Sequence, residues 1–386
     1  MTGGISSYKS VWLARLLTQG GADVDVVMTH GAQEFVGAIT FEAVTGRRVY
    51  SEIFGAGNAL DHIRLAREAA GVLIAPATAD FLARAAGGRA DDLLSAILLA
   101  AICPVMLAPA MNDHMWAHAA TRSNVARLRE IGYLVIEPDE GPLAVGEGSG
   151  AGRLPEPATI LAHFARLLAP KTALRGKRVV VTAGATREAI DPVRFISNHS
   201  SGKMGVAIAT AAWRRGAEVT VIAGHVDVAL PHGGETLRVT SALEMQQAVR
   251  TALPQADVLI MAAAPADFQP VGRAGYKLKK AAGVPRLELT ETPDILTSTI
   301  ADRSPGAVVV GFALETEHVE QHARAKLERK RLDLVVANCA GEEGAGFGGD
   351  TNRVTLVDKG GGIEELPLMS KDDVAERLLD RVEALL

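Results

Sequence analysis

Cysteine is almost missing from this chain. Two occur among 386 residues, Cys103 and Cys339, and they stand in no paired motif. They give no basis for a disulfide framework or a cysteine zinc site, and a reducing, cytoplasmic setting is expected. An excess of positive charge is also missing, since the formal net charge is −5. Long-range attraction to nucleic acid or an anionic membrane is therefore not expected, although local basic clusters can still serve small anions. The N-terminus has no basic stretch leading into an apolar one, so no secretion signal is read there. One uncharged run, Leu93 to Met111, comes near membrane-spanning length. Pro104 and Pro109 interrupt it, and neither a second span nor flanking anchors accompany it. A buried helix over about 90–102, followed by a short strand Pro104–Pro109, is expected instead.

What is present is an ordinary globular composition, 48% hydrophobic and 22% charged. At roughly 150 residues per domain the length suits two domains, each with its own core. Short β-branched runs alternate with helical stretches, the pattern of buried parallel strands in an α/β sheet. In the first half the expected strands are Val24–Met28, Gly71–Ala75, Val105–Ala108 and Tyr133–Ile136, with helices over Tyr8–Leu17, Thr78–Ala86 and Thr121–Ile131. A helix Pro157–Leu168 closes this half, and Ala169–Thr172 reads as a linker. The second series has strands at Lys177–Val181, Glu218–Ile222, Val258–Met261, Ala307–Val310, Leu332–Ala337 and Val354–Val357. The expected fold is thus two doubly wound, Rossmann-like α/β domains, 1–170 and 171–386. One feature breaks the pattern: Thr2-Gly3-Gly4-Ile5-Ser6 puts a glycine turn at the start with almost no strand ahead of it. Either the natural chain starts upstream or the domain lacks its first central strand, and the former is preferred.

The first-half motifs fall at strand ends. Gly3 to Lys9 is a small-residue turn running into a helix, where backbone amides and the helix dipole can hold a phosphate. Thr29 follows a strand and can offer a hydroxyl to the same group, and Ala75-Pro76-Ala77-Thr78-Ala79-Asp80 ends the next. His62 precedes that strand and, taken alone, reads as a structural histidine. Pro109-Ala110-Met111-Asn112-Asp113-His114-Met115-Trp116 has no packing logic of its own.

Together these segments resemble the flavin-dependent cysteine decarboxylases. The resemblance implies a flavodoxin-like flavoprotein domain, FMN held around Gly4, Ser6, Thr29, Pro76 and Thr78, and His62 as base. Asn112 would bind the substrate carboxylate, with Met115 beside it. Flavin suits the chemistry: loss of CO₂ from a cysteine amide leaves an unstabilised carbanion unless the thiol carbon is first oxidised. The chain departs from the family at Val145, which stands where a proton-donating Cys is usual. Either Glu147 or water takes that role, or the reaction stalls at the enethiol. Asp91 also replaces a common Asn, and Cys103 is expected in the core.

In the second half, Val181–Glu188 and Asp191-Pro192-Val193-Arg194-Phe195-Ile196-Ser197-Asn198-His199-Ser200-Ser201-Gly202-Lys203 precede a helix Lys203–Arg214. This is neither a Walker A loop nor a dinucleotide fingerprint. Ser200-Ser201-Gly202 opening this helix reads as a phosphate-type helix N-terminus. An N-capped helix start, with Ser200 or Ser201 as cap, is the plainer reading, but the density of polar groups across fifteen residues argues against that alone. Ala262–Phe268, Lys277–Lys280, Gly311–Thr316, Lys326 with Lys330 on one helix face, and Gly346–Asn352 follow. This ordered set resembles bacterial CTP-using phosphopantothenate–cysteine ligases over about residues 176–384. The resemblance implies that Asn198 handles an acyl-cytidylate and Lys277 helps form it. It places Arg194 at the substrate and Asp267, Phe312, Lys326 and Lys330 around the nucleotide. Mg²⁺ would be held mainly through the CTP phosphates, its protein ligands unassigned.

The order of the two halves is that of bifunctional phosphopantothenoylcysteine decarboxylase/phosphopantothenate–cysteine ligases. That likeness implies 4′-phosphopantothenate, L-cysteine and CTP as small-molecule partners. It also implies a homo-oligomer with trimeric flavin domains, whose site could lie between subunits, and dimeric ligase domains. Two other readings stand beside it: a ligase whose flavin domain is only a scaffold, and a non-enzymatic regulator of a phosphatase.

Overall fold

Runs such as Val179-Val180-Val181 and Val308-Val309-Val310 are apolar on both sides, which suits strands covered by helices on each face of a parallel sheet. They lie at the centre of a computed structural model that describes residues 1–54, 60–231, 233–279, 286–315, 319–339, 346 and 348–386. Lys280, Thr316 and Phe347 of the motifs above lie outside the described residues, as does the side chain of Cys339. The chain divides into two units, Met1–Ala169 and Pro170–Leu386.

In the second unit eight strands form one sheet. Their order is Glu235–Arg238, Glu218–Ala223, Arg178–Ala183, Val258–Met261, Val308–Glu315, Leu334–Cys339, Val354–Asp358 and Ile363–Glu365. Counted along the chain, the first six run 3-2-1-4-5-6, the doubly wound order in which ligands bind where the winding reverses. The reversal lies between Arg178–Ala183 and Val258–Met261, which pair in parallel. Val354–Asp358 was expected to extend the alternating series, but it pairs antiparallel to Leu334–Cys339. No helix is described between these two strands, and a parallel return would need such a crossover. The core between sheet and helices includes Val180, Ile222, Met245, Leu259, Val309 and Val335, all buried.

The first unit has a parallel sheet of Val72–Ala77, Val105–Pro109 and Leu134–Val135, and a separate parallel pair, Val26–Val27 with Val49–Tyr50. Met1 and Thr2 run between them. The Met1 amino group donates to the Val27 carbonyl at 2.6 Å, and the Thr2 amide donates to the Pro76 carbonyl at 3.2 Å. The expected strand Val24–Met28 is thus reduced to two residues. Leu93–Ala100 is the buried helix expected within the uncharged run, capped by Asp92, whose carboxylate accepts from the Ser95 amide. Cys103, expected in the core, lies half-buried in the turn beyond that helix, and burial raises its thiol above the usual range. Among the described residues no helix is long and apolar enough to cross a membrane.

The helix Lys203–Arg214 lies so close to the first strand of its unit that a β-carbon at Gly205 would sit 2.8 Å from the Thr182 carbonyl oxygen and 2.7 Å from the Ala183 β-carbon. Replacing Gly205 by Ala is expected to destabilise the protein by about 1–3 kcal/mol through overpacking. Urea unfolding followed by circular dichroism measures it, and an unchanged midpoint would show that the helix can back away freely.

Candidate active sites

In the first unit the glycine turn, the Thr29 turn and the Pro76 strand end converge. A β-carbon at Gly4 would lie 4.0 Å from both Pro76 and Thr78, and one at Gly3 would lie 2.3 Å from the Gly31 carbonyl oxygen. Thr2 joins the strands: its hydroxyl donates to the Pro76 carbonyl at 2.9 Å and accepts from the Thr78 amide at 3.0 Å. Thr29 and Thr78 each cap a helix, accepting from the Ala32 and Phe81 amides at 3.3 Å. Each hydroxyl keeps its proton to donate elsewhere. Ser6 begins the helix Ser7–Gln19 without a side-chain cap bond. The next residue, Ser7, is fully buried, and its hydroxyl has no partner among the described residues. Turn, uncapped helix start and orphan hydroxyl together fit a phosphate group. Ser7 carries no motif signature, because a serine at a helix start is too common to read as a ligand.

His62 is the second residue of the helix Asp61–Glu68, and its Nδ1 is buried without a partner among the described residues. The buried Asp61 carboxylate anchors this helix start, accepting from Arg48 and Arg64 at 3.0 Å each. Both guanidiniums lie on the Tyr50 ring, 4.4 and 5.6 Å from its centre. The Asp61 bond, followed by one to the Tyr50 hydroxyl, holds Arg64 firmly protonated.

Asn112 caps the helix Asp113–Ala117, its amide oxygen accepting from the His114 amide at 2.9 Å. Its Nδ2 donates to the Glu147 carboxylate at 3.2 Å. Glu147 comes from the turn of the hairpin Asp139–Pro142/Ser149–Arg153, which is clamped to this loop by the Met111 amide donating to the Gly152 carbonyl at 2.9 Å. Gly152 permits the approach, since a β-carbon there would sit 2.2 Å from the Met111 carbonyl oxygen. Met115 is half exposed, and Val145 is wholly exposed at the turn. No hydrogen bond joins His62 to Asn112 among the described residues. Asp91 accepts from Arg84 and Arg89, at 3.3 and 2.5 Å, so its charge is used at the surface.

In the second unit the strand-end loops meet at the winding reversal. Thr182 and Thr186 accept from the Ala263 and Ala266 amides at 3.1 and 2.9 Å. Asn198 donates from Nδ2 to the Ala264 and Pro265 carbonyls, at 3.0 and 2.9 Å. This puts it two residues from the exposed Asp267. The cap position falls on Gly202, with φ of 76°, rather than on Ser200 or Ser201, and no side-chain cap bond is described there. A serine side chain at this position would meet the left-handed backbone, which favours glycine. Lys203 donates to the Gly348 carbonyl at 3.0 Å and the Asp350 carboxylate at 2.6 Å. Lys371 donates to Gly346 and Gly349, at 2.9 and 2.7 Å. Burial lowers the Lys371 ammonium below its ordinary value.

Asp191 holds the Arg194 and Lys277 segments together. Its side chain is fully buried, and Arg194 donates to one oxygen from Nε and Nη2, at 3.0 and 2.5 Å. That oxygen also accepts from the Leu278 amide at 3.2 Å, while the other accepts from the Val193 and Arg194 amides at 2.8 Å each. Arg194 reaches on to the Leu278 carbonyl at 2.8 Å. Lys277, next to this clamp, is exposed. Sequence reasoning gave Asp191 no role, since an Asp before a Pro reads as a turn. Lys326 donates to the Phe312 carbonyl at 2.5 Å and Lys330 to Asp294 at 3.1 Å, so both are engaged by protein groups. Among the described residues no group of three or more His, Cys, Asp or Glu could hold a metal.

Residues 1–169 match the Flavoprotein family, and residues 174–386 match the DNA/pantothenate metabolism flavoprotein C-terminal domain family. The chain is 46% identical, over 100% of its length and 96% of the relative's, to the coenzyme A biosynthesis bifunctional protein CoaBC of Bacillus subtilis (strain 168). The protein of the same name from Vibrio cholerae serotype O1 is 45% identical, over 98% of this chain and 95% of that one. A crystal structure of the C-terminal domain of a coenzyme A biosynthesis bifunctional protein CoaBC is 39% identical, covering 56% of this chain and 98% of that chain, with a TM-score of 0.47.

The Arg194 bond, aided by three backbone amides, pulls the Asp191 carboxyl well below its ordinary value of 3.8. A lowered folded value means stability that is complete above the ordinary value and is lost as pH falls through the lower one. Asp191→Asn is expected to lower the urea midpoint at pH 7. The gap to the parent should then narrow as pH drops below about 4, where protonation begins to cost the parent the same bond. A gap that stays constant down to pH 2 would show that the carboxylate's charge contributes nothing.

Proposed function

The chain belongs to the family of coenzyme A biosynthesis bifunctional proteins, which unite a decarboxylase with a ligase, and from this premise we propose the reaction of each unit. The second unit, 171–386, joins L-cysteine to 4′-phosphopantothenate at the expense of CTP, through an acyl-cytidylate. The first, 1–170, removes CO₂ from the resulting 4′-phosphopantothenoylcysteine to give 4′-phosphopantetheine, with FMN as cofactor. The scaffold-only reading of the flavin unit is set aside, because the likeness to bifunctional relatives runs through residues 1–169.

One observation supports the ligase assignment above the others: Asn198 is bonded to two carbonyls at the point where the sheet's winding reverses. There the loops leave neighbouring strands on opposite faces and open a crevice for a nucleotide. Asn198 orients the acyl-cytidylate. Lys277, held near Arg194 by the Asp191 clamp, neutralises charge as the carboxylate attacks the α-phosphate. Arg194 meets the substrate, and Asp267, Phe312, Lys326 and Lys330 surround the nucleotide. Lysines serve phosphates as point charges, and Mg²⁺ arrives on the triphosphate.

In the decarboxylase unit Gly4, Ser6, Ser7, Thr29, Pro76 and Thr78 would hold FMN, which supplies a reversible hydride acceptor. Asn112 grips the substrate carboxylate beside Met115. His62 takes the proton released when the thiol carbon is oxidised, from a helix start anchored by the bonds of Asp61 to Arg48 and Arg64. The scarcity of cysteine supports a cytoplasmic setting, and the lack of excess positive charge supports small-molecule partners rather than nucleic acid or a membrane. We assign it a homo-oligomer of trimeric flavin units and dimeric ligase units.

Mass spectrometry after mixing the protein with 4′-phosphopantothenate, cysteine, CTP and Mg²⁺ tests both halves. The expected sequence is a cysteine adduct followed by its loss of CO₂. Absence of the adduct would reject the ligase assignment. His62→Asn should leave the adduct unchanged and abolish CO₂ release, so normal release would end its role as base. Asn198→Ala should slow amide formation about 10²-fold, as expected when a side chain that fixes the geometry of the site is lost. A parent-like rate would reject its role.

A further inference from the structure

The decarboxylation needs a second proton, and the chain offers a source beside Asn112. Loss of CO₂ from the oxidised substrate leaves an ene-thiolate, in which the former α-carbon carries one hydrogen. To reach the saturated thiol, that carbon gains a proton, and the hydride lent to the flavin returns to the carbon bearing sulfur. Atoms and electrons then balance: one hydride out and one back, one CO₂ lost, one proton added. The carbon that takes the proton is the one that carried the carboxylate. Its donor therefore belongs next to the group that gripped the carboxylate.

We propose that Glu147 is this donor, placed by its hydrogen bond to Asn112. Its carboxylate oxygen lies 3.2 Å from Asn112 Nδ2. The turn that carries it is ordered by two backbone bonds, the Leu143 amide to the Gly148 carbonyl at 3.0 Å and the Glu147 amide to the Ala144 carbonyl at 2.9 Å. The hairpin below is clamped to the Asn112 loop through Met111 and Gly152. Val145, at the same turn, points into solvent and has no proton to give. Substrate binding also sets the protonation state. A carboxylate arriving at the Asn112 amide stands beside Glu147, and two like charges sharing a site favour the neutral acid on one of them. Glu147 thus takes up a proton when substrate binds and can release it to carbon after CO₂ has gone.

The inference rests on Asn112 as the carboxylate site, and the experiment separates the two. Glu147→Gln preserves an oxygen acceptor for Asn112 and removes only the proton. With 4′-phosphopantothenoylcysteine, CO₂ and thiol product are measured separately. The parent is expected to yield both. In a single anaerobic turnover the variant should release its one equivalent of CO₂ at a near-normal rate while thiol formation falls about 10²-fold, the ordinary contribution of a general acid, so that enethiol and the reduced cofactor would accumulate together. Glu147→Asp, which keeps a proton on a shorter arm, should recover part of the loss. A second readout needs no turnover. Calorimetry with the S-methyl substrate analogue, which cannot be oxidised at sulfur in the same way, is run in two buffers of different ionisation heat. Uptake of about one proton on binding is expected for the parent and none for Glu147→Gln. Normal thiol formation by Glu147→Gln, or equal proton uptake by both proteins, overturns the proposal. Failure of the parent itself to release CO₂ overturns the decarboxylase reading on which it stands.

Discussion

The constraint on which the ligase unit depends is the reversal of winding between Arg178–Ala183 and Val258–Met261. Two parallel neighbours whose chains leave on opposite faces cannot close over their own carboxyl ends. The loops that follow must find hydrogen bonds for their backbone elsewhere, since buried amides and carbonyls are seldom left unpaired. Thr182, Thr186 and Asn198 supply them, each bonded to the chain between Ala263 and Ala266. The same side chains that satisfy this backbone therefore set the shape of the loops at the winding reversal.

The flavin unit uses a different device. Its strands are short, and its site is assembled from turns pinned to one another: Thr2 across Pro76 and Thr78, Gly3 against Gly31, Gly152 against Met111. Several of these contacts need the absence of a side chain. A phosphate cradle and a mobile-substrate clamp both favour such turns, because backbone donors in fixed orientation bind anions without reorganising.

Much of this was legible in the sequence. The valine runs, Pro104 and Pro109, and the glycine turn at Gly3–Gly4 located strands, helices and the flavin-type turn, because apolar periodicity and turn chemistry are local properties. What the sequence hid was long-range. Asp191 reads as an ordinary Asp-Pro turn, and only the fold brings Leu278 to it. Ser7 reads as a helix-start serine, and only burial turns its hydroxyl into an orphan. Ser200 and Ser201 read as caps, yet the left-handed Gly202 takes that place. Val354–Asp358 carried a strand pattern that says nothing about direction, and its antiparallel pairing had to be seen.

The Asp191 clamp also bears on how the protein comes to be folded. Its bond to the Leu278 amide spans 87 residues of chain, and that to Arg194 spans only 3. The short turn can form early at little entropic cost. The long closure waits until the strands in between are paired, because ordering so large a loop is repaid only by contacts made across it. The packing of the Lys277 segment beside Arg194 therefore comes into being only with the long-range contacts of the domain, not with the local turn.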